Sequence, residues 1–349
     1  MISLALAGFI SLVLSLLFTF IIIKWMQKRS LGQIVREDGP KAHEAKSGTP
    51  TLGGVAIVIS AILGFSAAHL IILEDIRTRA AFLVLIILFL SGVIGFADDY
   101  LKLKRRHNLG LNKSAKLVAQ IAVAVIFVVL AENWAKVYEN LTFTRYNFPA
   151  GIHLGPVLWG IFAVLVIVGC QNAVNLTDGL DGLAAGSSAV VFASLTFFGF
   201  FIFRHEGLYK LVPALDLSSV SISLMAACVG FLWWNANPAK IMMGDTGALA
   251  IGGGMAAIFL QMNMALLLPI IGGLFVVETL SVVIQVASFK ITKKRPFRMA
   301  PIHHHFELKG WAESTVIVRF WIISAIFSGL GVAIFYADFI AVNSRSILL

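Results

Sequence analysis

The chain has 349 residues, of which 59% are hydrophobic and only 13% are charged, and its mean hydropathy is +0.91. A soluble domain carries roughly 25% charged residues, so the composition excludes a water-soluble globular protein and indicates a protein whose solvent is lipid. The net charge is +9, but its basic residues lie in short blocks between apolar runs, which suits lipid headgroups better than nucleic acid. Cys170 and Cys228 lie in separate apolar runs, which argues against a disulfide framework.

Ten apolar runs are long enough to be membrane-spanning helices, which need about 20 mostly apolar residues each. The first run is too long for the apolar region of a signal peptide, and we interpret it as a retained span. The predicted spans are residues 3–24, 53–73, 80–98, 116–131, 156–170, 183–203, 219–234, 247–261, 265–289 and 316–336. The pattern therefore predicts an all-α integral membrane protein, with residues 1–349 forming a single polytopic domain.

The distribution of Lys and Arg orients these spans. The first, third, fifth, seventh and ninth loops hold 19 of the 27 basic residues. Since cytoplasmic loops are enriched in Lys and Arg, the odd-numbered loops are predicted to lie in the cytoplasm and both termini outside. The same loops hold nearly every unusual polar group, so we expect a cleft on the cytoplasmic side.

Two of these loops carry acidic groups that a purely structural role explains poorly. Asp98 and Asp99 end the third span, at a membrane boundary where carboxylates are costly unless they are hydrated, paired or metal-bound. The C-terminal end of a helix also disfavours acids. The two residues point roughly 100° apart on a helix and are expected to have different roles. Asp245 precedes the eighth span, where a helix N-cap is the simple alternative to a ligand for a divalent cation such as Mg²⁺.

The fifth loop has polar groups at every third position, at Asn172, Asn175, Asp178 and Asp181, without a Lys or Arg to neutralise the two acids. This pattern favours a site for a cation, a sugar or a base over a hydrated turn. The seventh loop adds Asn235 to the same face.

The first and ninth loops carry groups suited to anions. Lys46 and Thr51 lie in a Gly-containing segment before the second span, which fits either a helix cap or a phosphate-binding turn. His303, His304 and His305 follow several Arg and Lys residues, and three consecutive histidines cannot all face one metal from a regular helix. Imidazoles beside basic groups instead suit a pyrophosphate or an anionic transition state.

Acids for a divalent metal, cations for phosphates and spans for an apolar chain together indicate phosphoryl transfer between a soluble donor and a lipid acceptor. The motifs DDYLK at Asp98, NAVNLTDGLDG at Asn172, GDTG at Gly244 and HHHFE at His303 resemble the polyprenyl-phosphate N-acetylhexosamine-1-phosphate transferases. The triple histidine, together with the segment that begins at Lys46, is similar to the phospho-N-acetylmuramoyl-pentapeptide transferases among them. The similarity extends over all five odd-numbered loops in order.

The resemblance implies transfer of phospho-N-acetylmuramoyl-pentapeptide from UDP-N-acetylmuramoyl-pentapeptide to undecaprenyl phosphate, giving lipid I and UMP, with Mg²⁺ as cofactor. It further implies a multi-pass protein of the bacterial cytoplasmic membrane and a homodimer. Asp98, Asp99, Asp245 and His303 are then the expected catalytic residues, and Asp245, Asp99 and Asp178 the expected metal ligands. The expected substrate-binding residues are Lys46, Thr51, Lys102, Lys116, Asn172, Asn175, Asp178, Asp181, Asn235, His304 and His305.

Within that assignment, Asp98 is either the base that deprotonates the lipid phosphate or a nucleophile that attacks the donor. Lys116 is preferred to Lys113 as the basic residue of the third loop. Two other functions are rivals: a sister transferase that uses UDP-N-acetylglucosamine, and an ion-coupled transporter, which predicts acids near mid-span. Glu278 and Gln285, in the ninth span, are interpreted as groups that pack by hydrogen bonding to a neighbouring helix.

Overall fold

The structure is a computed structural model that describes residues 2–29, 32, 48–72, 79–105, 110–145 and 151–347, the last six by backbone alone. Lys46 lies outside the described residues. The helices are α1 Ile2–Lys28, α2 Gly53–Ile72, α3 Arg79–Arg105, α4 Lys113–Leu130, α5 Gly155–Thr177, α6 Leu183–Arg204, α7 Glu206–Tyr209, α8 Ala214–Asn235, α9 Gly244–Gln261, α10 Leu268–Ile271, α11 Gly273–Thr292, α12 Ile302–Glu307 and α13 Glu313–Ile347. A π-helical turn, Ala131–Ala135, follows α4, and β1 Asn140–Leu141 pairs antiparallel with β2 Ile152–His153.

Nine helices of the described chain are long and apolar enough to cross a membrane, which confirms an all-α polytopic membrane protein. They are α1, α2, α3, α4 with its π-helical turn, α5, α6, α8, α11 and α13. The predicted eighth span corresponds to a tenth helix, α9, which has 18 residues and is not among the nine.

The polarity of α9 follows from its place in the bundle. Every residue from Thr246 to Gln261 is buried, and the helix packs mainly against α3 and α5. A Cβ at Gly252 would lie 2.4 Å from the carbonyl oxygen of Cys170, so glycine is what permits the close approach to α5. A helix enclosed by other helices is shielded from lipid, so it needs less apolar surface than a lipid-facing one.

Two other predicted spans have different bounds. The fifth was expected over residues 156–170, but α5 extends to Thr177 and includes Asn172 and Asn175. Within this extension, Asn172 Nδ2 donates to Val168 O at 2.8 Å, so its amide has a partner inside the helix. The ninth, expected over residues 265–289, is divided at Gly272 into the short α10 and the longer α11.

The loops separate into two groups at opposite ends of the bundle, as the alternation of spans predicts. The odd-loop end comprises residues 48–52, 110–112, 178–182, 236–243 and 293–312, together with the adjoining turns of the helices that these segments connect. The even-loop end comprises residues 131–145, 151–154, 205–213 and 262–267.

Hydrogen bonds within each end hold its loops together. At the odd-loop end, Met242 N donates to Pro50 O at 2.7 Å, and Ala239 N donates to Asp181 Oδ2 at 3.0 Å. At the even-loop end, Leu266 N donates to Thr142 O at 3.2 Å. The odd-numbered loops, which carry the predicted chemistry, therefore meet one another in space.

Candidate active site

The last two turns of α3 carry three charged groups of the site. Lys102 Nζ lies 2.6 Å from Asp98 Oδ2 and 3.7 Å from Asp99 Oδ1, one helical turn away from each. Both aspartates are buried, with 3% of their surface exposed. The offset of roughly 100° per residue directs the two carboxylates to different neighbours on either side of the lysine.

Asp99 caps the N-terminus of α9. Its Oδ1 accepts a hydrogen bond from Asp245 N at 3.1 Å, and its Oδ2 accepts from Thr246 N at 2.9 Å and from Thr246 Oγ1 at 2.7 Å. The helix N-terminus is a favourable place for a carboxylate, because free N–H groups and the helix dipole both stabilise negative charge. A residue of α3 therefore supplies the cap, and the side chain of Asp245 remains available for other contacts.

The Asp245 carboxylate is shared by two ammonium groups. Lys102 Nζ and Lys116 Nζ each lie 2.8 Å from Asp245 Oδ2. Lys116 is on α4, whose first turn is capped by Asn112 through bonds to two backbone N–H groups. The preference for Lys116 over Lys113 agrees with this geometry, since it is Lys116 that reaches the cluster.

Asp98 has a backbone partner as well as Lys102. Leu111 N donates to Asp98 Oδ1 at 2.8 Å. A Cβ on the preceding residue, Gly110, would lie 2.5 Å from Asp98 Oδ1. The loop before α4 can cover this carboxylate only because residue 110 is glycine.

Close packing of glycines brings α2, α3 and α9 together at this point. A Cβ on Gly95 of α3 would lie 2.1 Å from the Asp245 carbonyl oxygen, and one on Gly54 of α2 would lie 2.0 Å from Gly247 N. Any side chain at these positions would push the N-terminus of α9 away from α3. The small residues therefore set the distance between the carboxylates of the two helices.

Asp98, Asp99 and Asp245 form a cluster that could hold a metal ion, and we term it the carboxylate cluster. Each offers one oxygen within 4.8 Å of the other two. Three carboxylates against two ammonium groups leave one net negative charge, and all the donors are the hard oxygens that Mg²⁺ prefers. The cluster thus fits a divalent cation.

The carboxylate cluster and the predicted set of metal ligands differ in one residue. Asp98 belongs to the cluster and Asp178 does not. As consecutive residues of a helix, Asp98 and Asp99 were predicted to point in different directions. Both side chains nevertheless reach Lys102 and the surroundings of Asp245. Asp178 is half-buried in the turn between α5 and α6, at a different place on the odd-loop end.

Two predicted substrate-binding residues join the fifth and seventh loops. Asp181 Oδ2 accepts from Ala239 N at 3.0 Å and from Asn237 Nδ2 at 3.3 Å. Asn235 Oδ1 accepts from Gly182 N at 3.0 Å, and its Nδ2 donates to a backbone carbonyl oxygen of the seventh loop at 2.8 Å. Both side chains are buried, and their contacts stabilise the turn between α5 and α6.

Other predicted substrate-binding residues lie on the same end. Asn172 Nδ2 lies 3.3 Å from Gln120 Oε1, at a buried contact of α5 with α4. Asn175 is half-buried, one helical turn nearer the loop. Thr51 is buried beside the carboxylate cluster, with its Oγ1 3.1 Å from the position of a Cβ on Gly244.

The three consecutive histidines lie on the short helix α12 in three different environments. His303 is fully buried, and its Nδ1 lies 3.0 Å from Glu278 Oε2. His304 Nδ1 lies 2.7 Å from Glu307 Oε2. His305 Nδ1 accepts from Arg298 N at 3.0 Å, and partial burial, aided by neighbouring basic groups, lowers the pKa of this imidazole. The structure does not direct these imidazoles toward one common ligand.

Glu278 is the site-related residue that sequence reasoning assigned to packing. It is fully buried on α11 and pairs with a neighbouring helix as predicted, but its partner there is His303, a predicted catalytic residue. A signal was present, because an acid inside an apolar span is costly unless it has a partner or a function. The sequence could not identify that partner, which lies 25 residues away.

Comparison with known proteins assigns the chain to a group of transferases. The sequence profile of glycosyl transferase family 4 matches residues 81–263, more than half of the chain. The chain belongs to this family. The phospho-N-acetylmuramoyl-pentapeptide-transferase of Saccharopolyspora erythraea is 46% identical over 347 residues, covering 95% of this chain and 96% of that protein. Those of Frankia casuarinae and Corynebacterium kroppenstedtii are each 45% identical, covering 96% and 97% of this chain and 97% and 99% of those proteins.

The resemblance seen in the motifs is thereby confirmed. The family-4 profile includes all three members of the carboxylate cluster as well as Lys102 and Lys116, but it ends before α11 and α12. The near-full-length relatives extend beyond it on both sides. Residues 81–263 of this family-4 protein thus contain the carboxylate cluster and the turn between α5 and α6.

Proposed function

We propose that this protein transfers phospho-N-acetylmuramoyl-pentapeptide from UDP-N-acetylmuramoyl-pentapeptide to undecaprenyl phosphate, producing lipid I and UMP. The observation that carries the proposal is the carboxylate cluster with its two lysines at one end of a membrane-type helical bundle. Relatives with this transferase name and 45% to 46% identity over nearly the full length support the choice of reaction.

The reaction exchanges one phosphate partner for another. An oxygen of the lipid phosphate forms a bond to the phosphorus that carries the sugar, and the anhydride bond between that phosphorus and UMP breaks. Both substrates are anionic, so they repel each other and need positive charge between them. Positioning and charge neutralisation supply most of the catalysis in such transfers.

Lys102 and Lys116 are the proposed sources of that positive charge. Their ammonium groups meet at a single oxygen of Asp245, and both side chains retain some exposure, 35% for Lys102 and 17% for Lys116. A phosphate that enters the site can therefore exchange with Asp245 as their partner. We assign the same kind of role to Lys46 and His304, whereas His305, whose Nδ1 accepts from Arg298 N, is proposed to bind the phosphate through its other ring nitrogen as a neutral hydrogen-bond donor.

Asp245 and Asp99, together with Asp98, are the proposed holders of Mg²⁺, which would supply charge to the pyrophosphate oxygens when bound. The donor set supports this assignment, since its three carboxylates have oxygens within 4.8 Å of one another. Asp178, half-buried and near Asn175, is proposed to contact the donor rather than the carboxylate cluster.

Asp98 has two possible roles, which the contacts support to different degrees. Its Oδ1 is held by Leu111 N and its Oδ2 by Lys102, so the carboxylate is well fixed for accepting a proton from the lipid phosphate. Attack on the donor would require release of one of these contacts. We favour the base, and inversion at the transferred phosphorus would distinguish it from a covalent intermediate.

The remaining predicted residues are proposed to form the donor's seat. Asn175 and Thr51 offer an amide and a hydroxyl at the odd-loop end, while Asp181, Asn235 and Asn172 stabilise the surrounding turn and helix contacts.

The excess of Lys and Arg supports a cytoplasmic odd-loop end, with both termini outside, in the bacterial inner membrane. The homodimer implied by the resemblance is a further proposal, which the molar mass in detergent tests.

The direct experiment measures UMP release by purified protein with Mg²⁺ and undecaprenyl phosphate. UDP-N-acetylmuramoyl-pentapeptide and UDP-N-acetylglucosamine are compared as donors at equal concentration. We expect release with the first donor and dependence on both the metal and the lipid. Release with UDP-N-acetylglucosamine alone would replace the proposal by the sister reaction, and the absence of release with either donor would refute both.

A further inference from the structure

Glu278 and His303 form a buried pair between α11 and α12. Neither side chain has any exposed surface, and His303 Nδ1 lies 3.0 Å from Glu278 Oε2. An ionised carboxylate can only accept hydrogen bonds, so the contact requires a proton on Nδ1. Glu278 thereby determines which ring nitrogen of His303 carries that proton and which direction the ring faces.

The other ring nitrogen faces the turn between α5 and α6. A Cβ on Gly179 would lie 2.3 Å from His303 Nε2, so the ring is held between Glu278 and the backbone of this turn. Gly179 lies between Asp178 and Asp181, in the segment assigned above to the donor. The glycine is required for this contact, since a side chain there would displace the imidazole.

The pair contains two polar atoms that a purely packing role leaves unexplained. His303 Nε2 and Glu278 Oε1 are both buried and have no hydrogen-bond partner among the described residues. A histidine that only stabilises a core normally satisfies both nitrogens, because an unpaired buried polar atom destabilises the fold. Here one nitrogen is fixed and the other faces the proposed donor seat without a partner.

We propose that Glu278 is a positioning residue, which acts through His303 by holding the proton on Nδ1 and directing the lone pair of Nε2 toward a hydroxyl group of the donor substrate seated on the turn of residues 178–182. The assignment of that turn to the donor substrate rests on the proposed function, whereas the geometry of the Glu278–His303 pair does not. Removal of the carboxylate would leave the ring free to rotate or to change tautomer. Turnover is then expected to fall while substrate affinity changes little.

Three variants test this assignment. Glu278→Gln keeps the shape but can either donate or accept at Nδ1, and His303→Gln removes the ring. Ser281→Ala is the matched control, because its hydroxyl bonds only to the Glu278 carbonyl oxygen, one turn along the same helix. We expect Glu278→Gln to lower kcat by roughly 10- to 100-fold, as the loss of second partners of metal-bound histidines does, with KM for both substrates little changed. Ser281→Ala is expected to retain the wild-type kcat.

The double variant decides whether Glu278 acts through His303. If it does, Glu278→Gln in the His303→Gln background causes no further loss, whereas independent roles give multiplied losses and overturn the proposal. A wild-type kcat in the Glu278→Gln variant would also overturn the proposal. So would equal falls in kcat and in thermal stability for Glu278→Gln and Ser281→Ala, because these would indicate a structural role.

A spectroscopic measurement separates this inference from the proposed function. Ring ¹⁵N signals of His303, identified by their loss in His303→Gln, should show a proton on Nδ1 in the wild type and a changed distribution in Glu278→Gln. Unchanged signals would refute the positioning role even in an active transferase. If UMP release is absent with every donor, the proposed function fails, and the ¹⁵N signals still test the pair.

Discussion

Arg145 at the even-loop end and Lys102 at the odd-loop end are both partly or fully enclosed cations, but they have different partners. Arg145 is 2% exposed, and its guanidinium donates to the backbone carbonyl oxygens of Tyr209 at 2.9 Å and Lys210 at 3.2 Å. Lys102 lies within 4 Å of three carboxylates. These neutral backbone acceptors hold one loop against another, and the Arg145 guanidinium does not readily exchange them for other partners.

The carboxylate cluster differs from the Arg145 contacts in its electrostatic energy. Three carboxylates with oxygens within 4.8 Å of one another repel, and the ammonium groups of Lys102 and Lys116 offset that repulsion. A divalent cation or a phosphate would relieve the repulsion or compete for the lysines. Crowding of like charge, more than burial of charge, therefore distinguishes the end of the bundle that holds the candidate site from the even-loop end.

Asp245→Asn is the strongest test of this distinction. The substitution removes the charge shared by two lysines but keeps the backbone N–H that Asp99 accepts, so the fold should persist. We expect turnover to fall by at least roughly 100-fold, the scale of losing a main electrostatic contact in an active site, with a higher Mg²⁺ requirement. Asp338→Asn is the control and should retain wild-type turnover, because Asp338 lies on α13 and its carboxylate accepts from Thr144 of the even-loop end. A wild-type rate and Mg²⁺ dependence in Asp245→Asn would contradict the metal assignment.

Lys116→Met should have the next largest effect, because it removes one of the two ammonium groups on Asp245 Oδ2. A hydrogen bond to a charged group contributes about 1.5–3 kcal/mol, which corresponds to a loss in kcat/KM of roughly 10- to 100-fold. Lys113→Met is the matched control from the first turn of the same helix and should differ little from wild type. Steady-state kinetics of UMP release measures both variants, and equal effects would remove the distinction between these lysines.

Gly110→Ala should cause a smaller loss. The added methyl would lie 2.5 Å from Asp98 Oδ1, so the loop must shift and weaken the bond from Leu111 N. We expect turnover to fall by about tenfold, less than the 100-fold that a misplacement of 1 Å can cause. Gly169→Ala has no atom within 4 Å of the added carbon and serves as the control. If both variants have wild-type kcat, the fixed position of Asp98 is unimportant.

Arg145→Met should leave turnover per folded molecule unchanged and reduce stability alone. Two backbone carbonyl oxygens lose a buried donor, which costs roughly 1–3 kcal/mol and should lower the Tm measured in detergent. Burial already lowers the pKa of this guanidinium to about 10, so it remains charged at neutral pH. A loss of turnover without a change in Tm would mean that the even-loop end takes part in the reaction.

The spans were predictable because hydropathy is a property of each stretch of chain by itself. Nine of the ten predicted spans correspond to helices that are long and apolar enough to cross a membrane. The remaining one, α9, is a helix of 18 residues with polar groups at both ends, and its neighbours enclose it, which is a tertiary property. The extension of α5 through Asn172 was missed for a similar reason, since its amide gains partners on α5 and α4.

The candidate site was predictable as a set of residues but not as an arrangement. Asp98, Asp99 and Asp245 were identified because acids at the ends of apolar helices are costly. That Asp99 caps α9, and that Asp98 joins the carboxylate cluster while Asp178 does not, depends on how closely glycines let α3 and α9 approach. Motif spacing along the chain carries no information about that distance.

Hydropathy and charge along the chain are enough to predict a protein surrounded by lipid, the loops that share an end and the chemically unusual side chains there. These are sums over local hydrophobicity and charge, and they need no knowledge of contacts. Which of those side chains meet depends on how the helices pack. The pairing of Glu278 with His303 is the clearest case, because an apolar span gives no sign of the partner that its single acid contacts across the packed helices.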